Sequence, residues 1–144
     1  LIGIAGFAAA AEEAVQDLAR GVWDEVAEVR NILEQALSAL PFKTISVGKS
    51  VPRLPNTLCI IAPGWKGETQ VMAMDLAGFA VSAGSACSSG KVRASRVLTA
   101  MGYDQALAGQ AIRVSIGPGV TKDDVGRFAK AWTAAYAKAR ARAA

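Results

Sequence analysis

Hydrophobic residues recur every three or four positions along the first forty residues of the chain. The spacing averages 3.6 residues, which is the period of an α-helix, and the pattern stays in phase across Gly21. We therefore predict one long connecting helix over residues 1–40, kinked at Gly21 and about 55 Å long, which is long enough to span two bodies. The alternative is a helical hairpin that turns at Gly21. The residues of the pattern are Ile4, Phe7, Ala11, Val15, Leu18, Val22, Val26, Val29, Leu33, Leu37 and Leu40.

Short runs of β-forming residues follow Pro41, which ends the predicted helix. The predicted strands are residues 44–47, 57–62, 79–82 and 112–116. In the last of these, Ile112, Val114 and Ile116 alternate with polar residues, so Arg113 and Ser115 should lie on the face opposite the core. The run LCIIA at 58–62 is apolar throughout and is predicted to be buried on both faces.

Helices are predicted between and after these strands. Residues 67–76 show helical spacing before Gly78, Ser95 can cap a helix that ends at Gly102, and Thr121 with Asp124 resembles the capping box of a last helix. The buried stripe of that last helix should be Val125, Phe128, Trp132 and Tyr136. The fold class is therefore α+β, a small and mostly antiparallel sheet covered by helices, with residues 41–144 as one small domain.

Composition agrees with a single globular domain, at 52% hydrophobic and 19% charged residues. No apolar run approaches the roughly 20 residues of a membrane span, and the start LIGIAGFAAAA lacks the basic region of a signal peptide. We therefore expect a cytoplasmic protein without membrane contact. The chain begins at Leu1 and not at a methionine, so we also expect that a preceding segment is missing.

The net charge of +4 is unevenly distributed, with −5 over residues 1–40 and +9 over residues 41–144. A basic half can attract nucleic acid, acidic proteins or anionic ligands. No aromatic residues alternate with its lysines and arginines as a nucleic-acid platform requires, so no nucleic-acid partner is expected.

The two cysteines have different sequence surroundings. With no histidine in the chain, they can form neither a zinc site nor a Cys/His pair, and no metal is expected. Cys59 lies within an apolar strand and is predicted to be a small buried hydrophobic residue. Cys87 lies in SAGSACSSGKVRAS, where glycine, serine and alanine give it little cover and the basic residues Lys91, Arg93 and Arg96 would favour the thiolate.

Cys87 is therefore a candidate nucleophile. One alternative is an incidental cysteine in a flexible loop. Another is an anion site formed by backbone amides, but GSACSSGK is followed by valine and lacks the final hydroxyl of a phosphate-binding loop. Arg113 is the second candidate site residue, because a guanidinium on a strand can bind a carboxylate through two parallel hydrogen bonds. On its own, Arg113 could equally be a solvated surface arginine.

Four further segments of the chain are informative in their order and spacing, namely RLPNT (53–57), PGWKGETQVMAMDLAGFAVSAGSACSSG (63–90), VLTAMG (97–102) and AIRVSIG (111–117). Together they resemble the cysteine desulfurases, which are pyridoxal-phosphate enzymes of the class V aminotransferase fold. The opening GIAGFAAAAEEA is similar to the segment that follows the family's phosphate-contacting Arg-x-Gly-Thr motif. The resemblance implies the small C-terminal domain of that fold. The long cysteine loop is similar to that of the iron–sulfur-cluster and nitrogenase-type branch.

The resemblance also implies a reaction and its site residues. Cys87 matches the cysteine that takes sulfur from L-cysteine as a persulfide while alanine is released, and Arg113 matches the arginine that pairs with the substrate carboxylate. The implied partners are L-cysteine, a sulfur acceptor such as an iron–sulfur scaffold protein, and a second copy of the chain in a homodimer.

The resemblance covers only part of what the family needs. The family's cofactor lysine follows a histidine, which this chain lacks, so pyridoxal phosphate should be bound mainly by an upstream domain and the chain alone should be inactive. Gly117-Pro118 and Ala94-Ser95 depart from the common Gly-Arg and Pro-Ser of the family. Two other functions remain open, a non-catalytic interaction module and a selenocysteine lyase-like relative.

Overall fold

The computed structural model describes residues 1–84 and 95–143. The four strands of these residues form one antiparallel sheet in the order β1-β2-β4-β3. The strands are β1 (Ile45–Ser46), β2 (Thr57–Ile61), β3 (Ser82–Ala83) and β4 (Ala111–Ser115). The helices of the described residues are α1 (Ile2–Ala19), α2 (Val22–Ser38), α3 (Gly67–Leu76), α4 (Arg96–Ala100), α5 (Gln105–Ala108) and α6 (Lys122–Ala143). The predicted α+β class with a small antiparallel sheet is confirmed.

The helical pattern of the first forty residues is divided between two helices. Arg20 closes α1 by donating its backbone N–H to the Gln16 carbonyl, and Gly21 then adopts a left-handed conformation with φ of +76°. A helix cannot continue through that conformation, so the helical segment is interrupted at Gly21, the position of the predicted kink, and consists of two helices. A packed hairpin is not formed, because α1 has no buried residue.

Three helices cover one face of the sheet and form the main core. The inward residues of the central strands are Leu58 and Ile60 on β2 and Ile112 and Val114 on β4. They pack against α2, α3 and α6, including the predicted stripe of Val125, Phe128, Trp132 and Tyr136. The side chains of α2 in this core are Val26, Val29, Leu33 and Leu37, so the second half of the predicted connecting helix is part of the same hydrophobic core as the sheet.

A hydrogen-bonded side chain joins α3 to α6 inside this core. The Gln70 amide group is fully buried and donates to the carbonyls of Trp65 and Gln110 at 2.8 and 2.9 Å, while its oxygen accepts from the Trp132 indole at 3.1 Å. Each of these polar groups is thus satisfied, as burial requires.

The predicted capping box before α6 is also present, and hydrogen bonds donated by Thr121 lower the pKa of Asp124 to about 2.

The segment between β1 and β2 is held to α2 by charged side chains. Arg53 donates to both carboxylate oxygens of Glu34, at 2.9 and 2.8 Å, and Ser46 also donates to that carboxylate. The Arg53 hydrogen bonds lower the pKa of Glu34 despite its burial. Arg30 donates to the Leu54 carbonyl at 2.7 Å. These contacts fix the approach of the chain to β2, the strand beside β4.

Two of the predicted strands are shorter or displaced. Residues 44–47 contribute only Ile45–Ser46, and the strand predicted over 79–82 is instead Ser82–Ala83. Phe79 donates its backbone N–H to the Met74 carbonyl at the end of α3 and packs against Phe128. The backbone of Phe79 therefore closes α3 and its side chain packs on α6, and neither is part of the sheet. Among the described residues, no helix is both long and apolar enough to cross a membrane.

Candidate functional site

A cavity of about 770 Å³ lies on the face of the sheet opposite the main core. Part of this face is covered by a second, small cluster in which Ile61 and Ala111 pack with Val47, Leu98 and Ala108. Beyond the cluster, among the described residues, Arg113 lines the cavity together with Val97 and Met101 of the α4 region. The predicted site residue Arg113 is thus exposed into a concavity, with its guanidinium on the face that the alternating pattern of β4 indicated.

Arg113 occupies the middle of a row that crosses three strands. Its Cα partner on β2 is Cys59 and its partner on β3 is Ser82. Directly paired residues of antiparallel strands place their side chains on the same face, with Cβ atoms about 4.5–5.5 Å apart. All three residues line the cavity.

The cavity also includes both ends of the segment that carries the other predicted site residue. Gly84 and Ser95 line it, and the chain between them is residues 85–94. Cys87 lies outside the described residues. Ser95 begins α4 as predicted, with its hydroxyl accepting the Leu98 backbone N–H at 3.4 Å.

Cys59 is less enclosed than the sequence predicted. Its neighbours Leu58, Ile60 and Ile61 are fully buried, whereas Cys59 is half-buried and borders the cavity beside Arg113. Burial raises the pKa of the Cys59 thiol, and the positive charge of Arg113 offsets only part of that effect. The thiol therefore stays protonated and weakly nucleophilic at neutral pH.

We expect Cys59 to react slowly with iodoacetamide. Because its raised pKa keeps the thiolate fraction small, alkylation should accelerate only when the pH rises above the usual range of a free thiol. Peptide mass spectrometry after timed alkylation between neutral and alkaline pH measures the rate. Full alkylation of Cys59 at neutral pH at the rate of a model thiol would contradict this placement.

The described lining of the cavity favours an anionic ligand over covalent attachment of a cofactor. Arg96 and Arg113 contribute positive charge, and a guanidinium suits a carboxylate or phosphate group. The described lining residues include no lysine that could form a Schiff base and no acidic residue for a pyridine nitrogen. These residues therefore do not form a pyridoxal-phosphate site by themselves.

Comparison with known proteins places this arrangement in a family. The model of the aminotransferase class-V family matches residues 1–128, which is most of the chain. The chain belongs to this family. The chain is also similar to individual cysteine desulfurases. A cysteine desulfurase of Cereibacter sphaeroides is 37% identical over 126 residues, covering 88% of this chain and 32% of that protein.

Other relatives give the same result. Cysteine desulfurase NifS of Azotobacter vinelandii is 32% identical over 124 residues, or 86% of this chain and 31% of that protein. The solved structure of a NifS-like protein from Rickettsia africae matches with a TM-score of 0.69 and 29% identity, over 80% of this chain and 29% of that one. The chain thus spans about a third of the length of these relatives. The predicted fold, that of a domain of the pyridoxal-phosphate transferases, is confirmed.

The sequence did not reveal two features of the site. Ser82 was assigned to a strand but not to the site, and Cys59 was not placed next to Arg113. The pairing of β4 with both β2 and β3 brings these residues together, and no local pattern specifies which strands are neighbours. The only signal was the two-residue period of β2, which the additional apolar residues Ile61 and Ala62 obscured.

Proposed function

We propose that this chain is a domain of a pyridoxal-phosphate-dependent cysteine desulfurase. In this proposal Arg113 binds the carboxylate of L-cysteine and Cys87 receives its sulfur. The sulfur then passes to an acceptor protein for iron–sulfur cluster assembly. The observation that carries the proposal is the position of Arg113 in a cavity that also includes Gly84 and Ser95, the two ends of the Cys87 segment.

The reaction balances without an external oxidant. The carbon–sulfur bond of L-cysteine breaks and a sulfur–sulfur bond to Cys87 forms, while the substrate carbon keeps the electron pair and takes a proton to give L-alanine. When bound by residues outside this chain, pyridoxal phosphate would supply the electron sink that this bond cleavage needs. The contribution of this chain is to hold the carboxylate at Arg113 and to supply a thiolate at Cys87.

Support for Cys87 comes from contrast with the other cysteine. The raised pKa of Cys59 makes it a poor nucleophile, although it borders the same cavity. Cys87 is surrounded in sequence by small residues and followed by Lys91, Arg93 and Arg96, a composition that favours an accessible thiolate. The sequence around it also matches the family's persulfide cysteine.

We propose that this chain supplies only part of the active site and that the rest of a longer protein supplies the other part. Residues outside this chain would bind pyridoxal phosphate, since the described cavity lining lacks an amine. Residues 1–40 would connect this small domain to the cofactor-binding domain. Helix α1 would lie against the cofactor-binding domain, because its apolar side chains Ile4, Phe7, Val15 and Leu18 are exposed. Residues 41–144 would form the small domain together with α2. We propose a cytoplasmic homodimer, and we expect this chain alone to be inactive.

The test is to locate the transferred sulfur in the full-length protein. We expect that incubation with pyridoxal phosphate and L-cysteine, followed by alkylation and peptide mass spectrometry, will show one additional sulfur atom on Cys87 and stoichiometric alanine. Cys87→Ser should abolish both the modification and sulfur transfer. Cys59→Ser is the matched control, in which the additional sulfur should remain on Cys87.

Other outcomes separate the competing functions. Alanine formation with the sulfur on a residue other than Cys87 would keep the reaction and reject this nucleophile. If selenocysteine were the only substrate to yield alanine, the selenocysteine lyase-like function would replace the desulfurase. No alanine from either amino acid would favour a non-catalytic interaction module.

A further inference from the structure

The row formed by Cys59, Arg113 and Ser82 suggests a second contact for the bound carboxylate. Arg113 has a paired residue on each side, one on β2 and one on β3, and both residues border the cavity. A carboxylate held by the guanidinium has unused acceptor positions on its oxygens. A donor beside Arg113 could therefore bind the same group.

The two neighbours differ as donors. Cys59 is half-buried, and its protonated thiol is a weak hydrogen-bond donor. Ser82 is exposed at the other side of Arg113, and a serine hydroxyl can donate one hydrogen bond in a direction that it adjusts by rotation. Among the described residues, no protein group accepts a hydrogen bond from the Ser82 hydroxyl. Ser82 is therefore better placed than Cys59 to donate a hydrogen bond to a carboxylate bound at Arg113.

We propose that Ser82 binds the substrate carboxylate together with Arg113, its Oγ donating a hydrogen bond to one carboxylate oxygen. This inference rests on the proposed function, because it assigns a further residue to the same substrate site. The carboxylate would be held by charge from β4 and by a neutral donor from β3. Two contacts from different strands fix the orientation of the amino acid better than one.

The backbone supports this role because it holds Ser82 in register. Ser82 and Ala83 pair with Arg113 and Ile112, and Ala83 packs against the main core on the opposite face. The alternation of a strand then directs Ser82 to the cavity side. A shift by one residue would bury Ser82 and expose Ala83, so the packing of Ala83 opposes it.

The test compares substrate affinity with turnover in the full-length desulfurase. We expect Ser82→Ala to raise the KM for L-cysteine about tenfold, the usual effect of losing one hydrogen bond to a charged group, with little change in kcat. The inhibition constant of L-alanine, which carries the same carboxylate, should rise by a similar factor. Ser82→Thr keeps the hydroxyl and should restore both values.

Ser115 provides the matched control. It lies two residues after Arg113 on the same face of β4, is also exposed, and does not border this cavity. Ser115→Ala should therefore leave KM and the alanine inhibition constant as in the unmodified protein. The proposal is overturned if Ser82→Ala behaves like Ser115→Ala, or if Ser82→Thr is as impaired as Ser82→Ala.

Arg113→Lys separates this inference from the function on which it rests. A raised KM in Arg113→Lys, with Ser82→Ala unchanged, would reject the role of Ser82 and keep the carboxylate site at Arg113. If neither variant changed KM or inhibition by alanine, the carboxylate would not bind in this cavity, and the assignment of Arg113 in the proposed function would fail as well.

Discussion

Replacement of Arg113 by alanine is expected to lower kcat/KM for L-cysteine by about a hundredfold or more in the full-length protein. The reason is the loss of a charged, two-bond contact with the carboxylate, since truncating one partner of such a pair costs roughly 2–5 kcal/mol. Arg113 is exposed on β4 and has no ion pair with a described residue, so the effect should be on substrate binding and not on folding. Steady-state kinetics with L-cysteine measures it.

Two variants make this result specific. Arg113→Lys keeps the charge but loses the planar fork, so we expect an intermediate loss of kcat/KM. Arg127→Ala removes an exposed arginine of α6 that does not border the Arg113 cavity, and it should leave the kinetics unchanged. Equal kinetics for Arg113→Ala and Arg127→Ala would remove Arg113 from the site.

The sequence predicted the elements of this fold better than their extents. The clean alternation of β4 and the capping box of α6 are determined by neighbouring residues, and both predictions are confirmed. The helix pattern across Gly21 was misleading, because periodicity reports which face is apolar and not whether the backbone is continuous. The short helix α5 was not predicted, since its four residues are too few to show a period.

The site could be predicted only as separate residues. Arg113 was identified from its place in a strand, and its cavity then depended on how α4 and three strands meet. Sequence separation explains the failure to find Ser82 and Cys59, which are 31 and 54 positions from Arg113 and reach it only through strand order. Cys87 was singled out by composition and by resemblance. Its role stays a prediction.

The core beneath this site leads to a second large effect. We expect Trp132→Ala to lower the free energy of unfolding by about 3–5 kcal/mol, the usual cost of deleting a large aromatic side chain from a core. Trp132 is fully buried and packs against Trp65 and Tyr136. Its removal would also leave the buried Gln70 oxygen without a donor, which adds a desolvation cost. Urea denaturation followed by far-ultraviolet circular dichroism measures the change.

Two further variants separate packing from hydrogen bonding. Trp132→Phe keeps an aromatic ring and loses the indole N–H, so we expect a smaller loss of about 1–3 kcal/mol for the unpaired Gln70 oxygen and the lost volume. Leu76→Ala removes a side chain that is 89% exposed on α3, and its effect should stay within about 0.5 kcal/mol. A Trp132→Ala protein as stable as Leu76→Ala would mean that α6 does not pack on α3 through this contact.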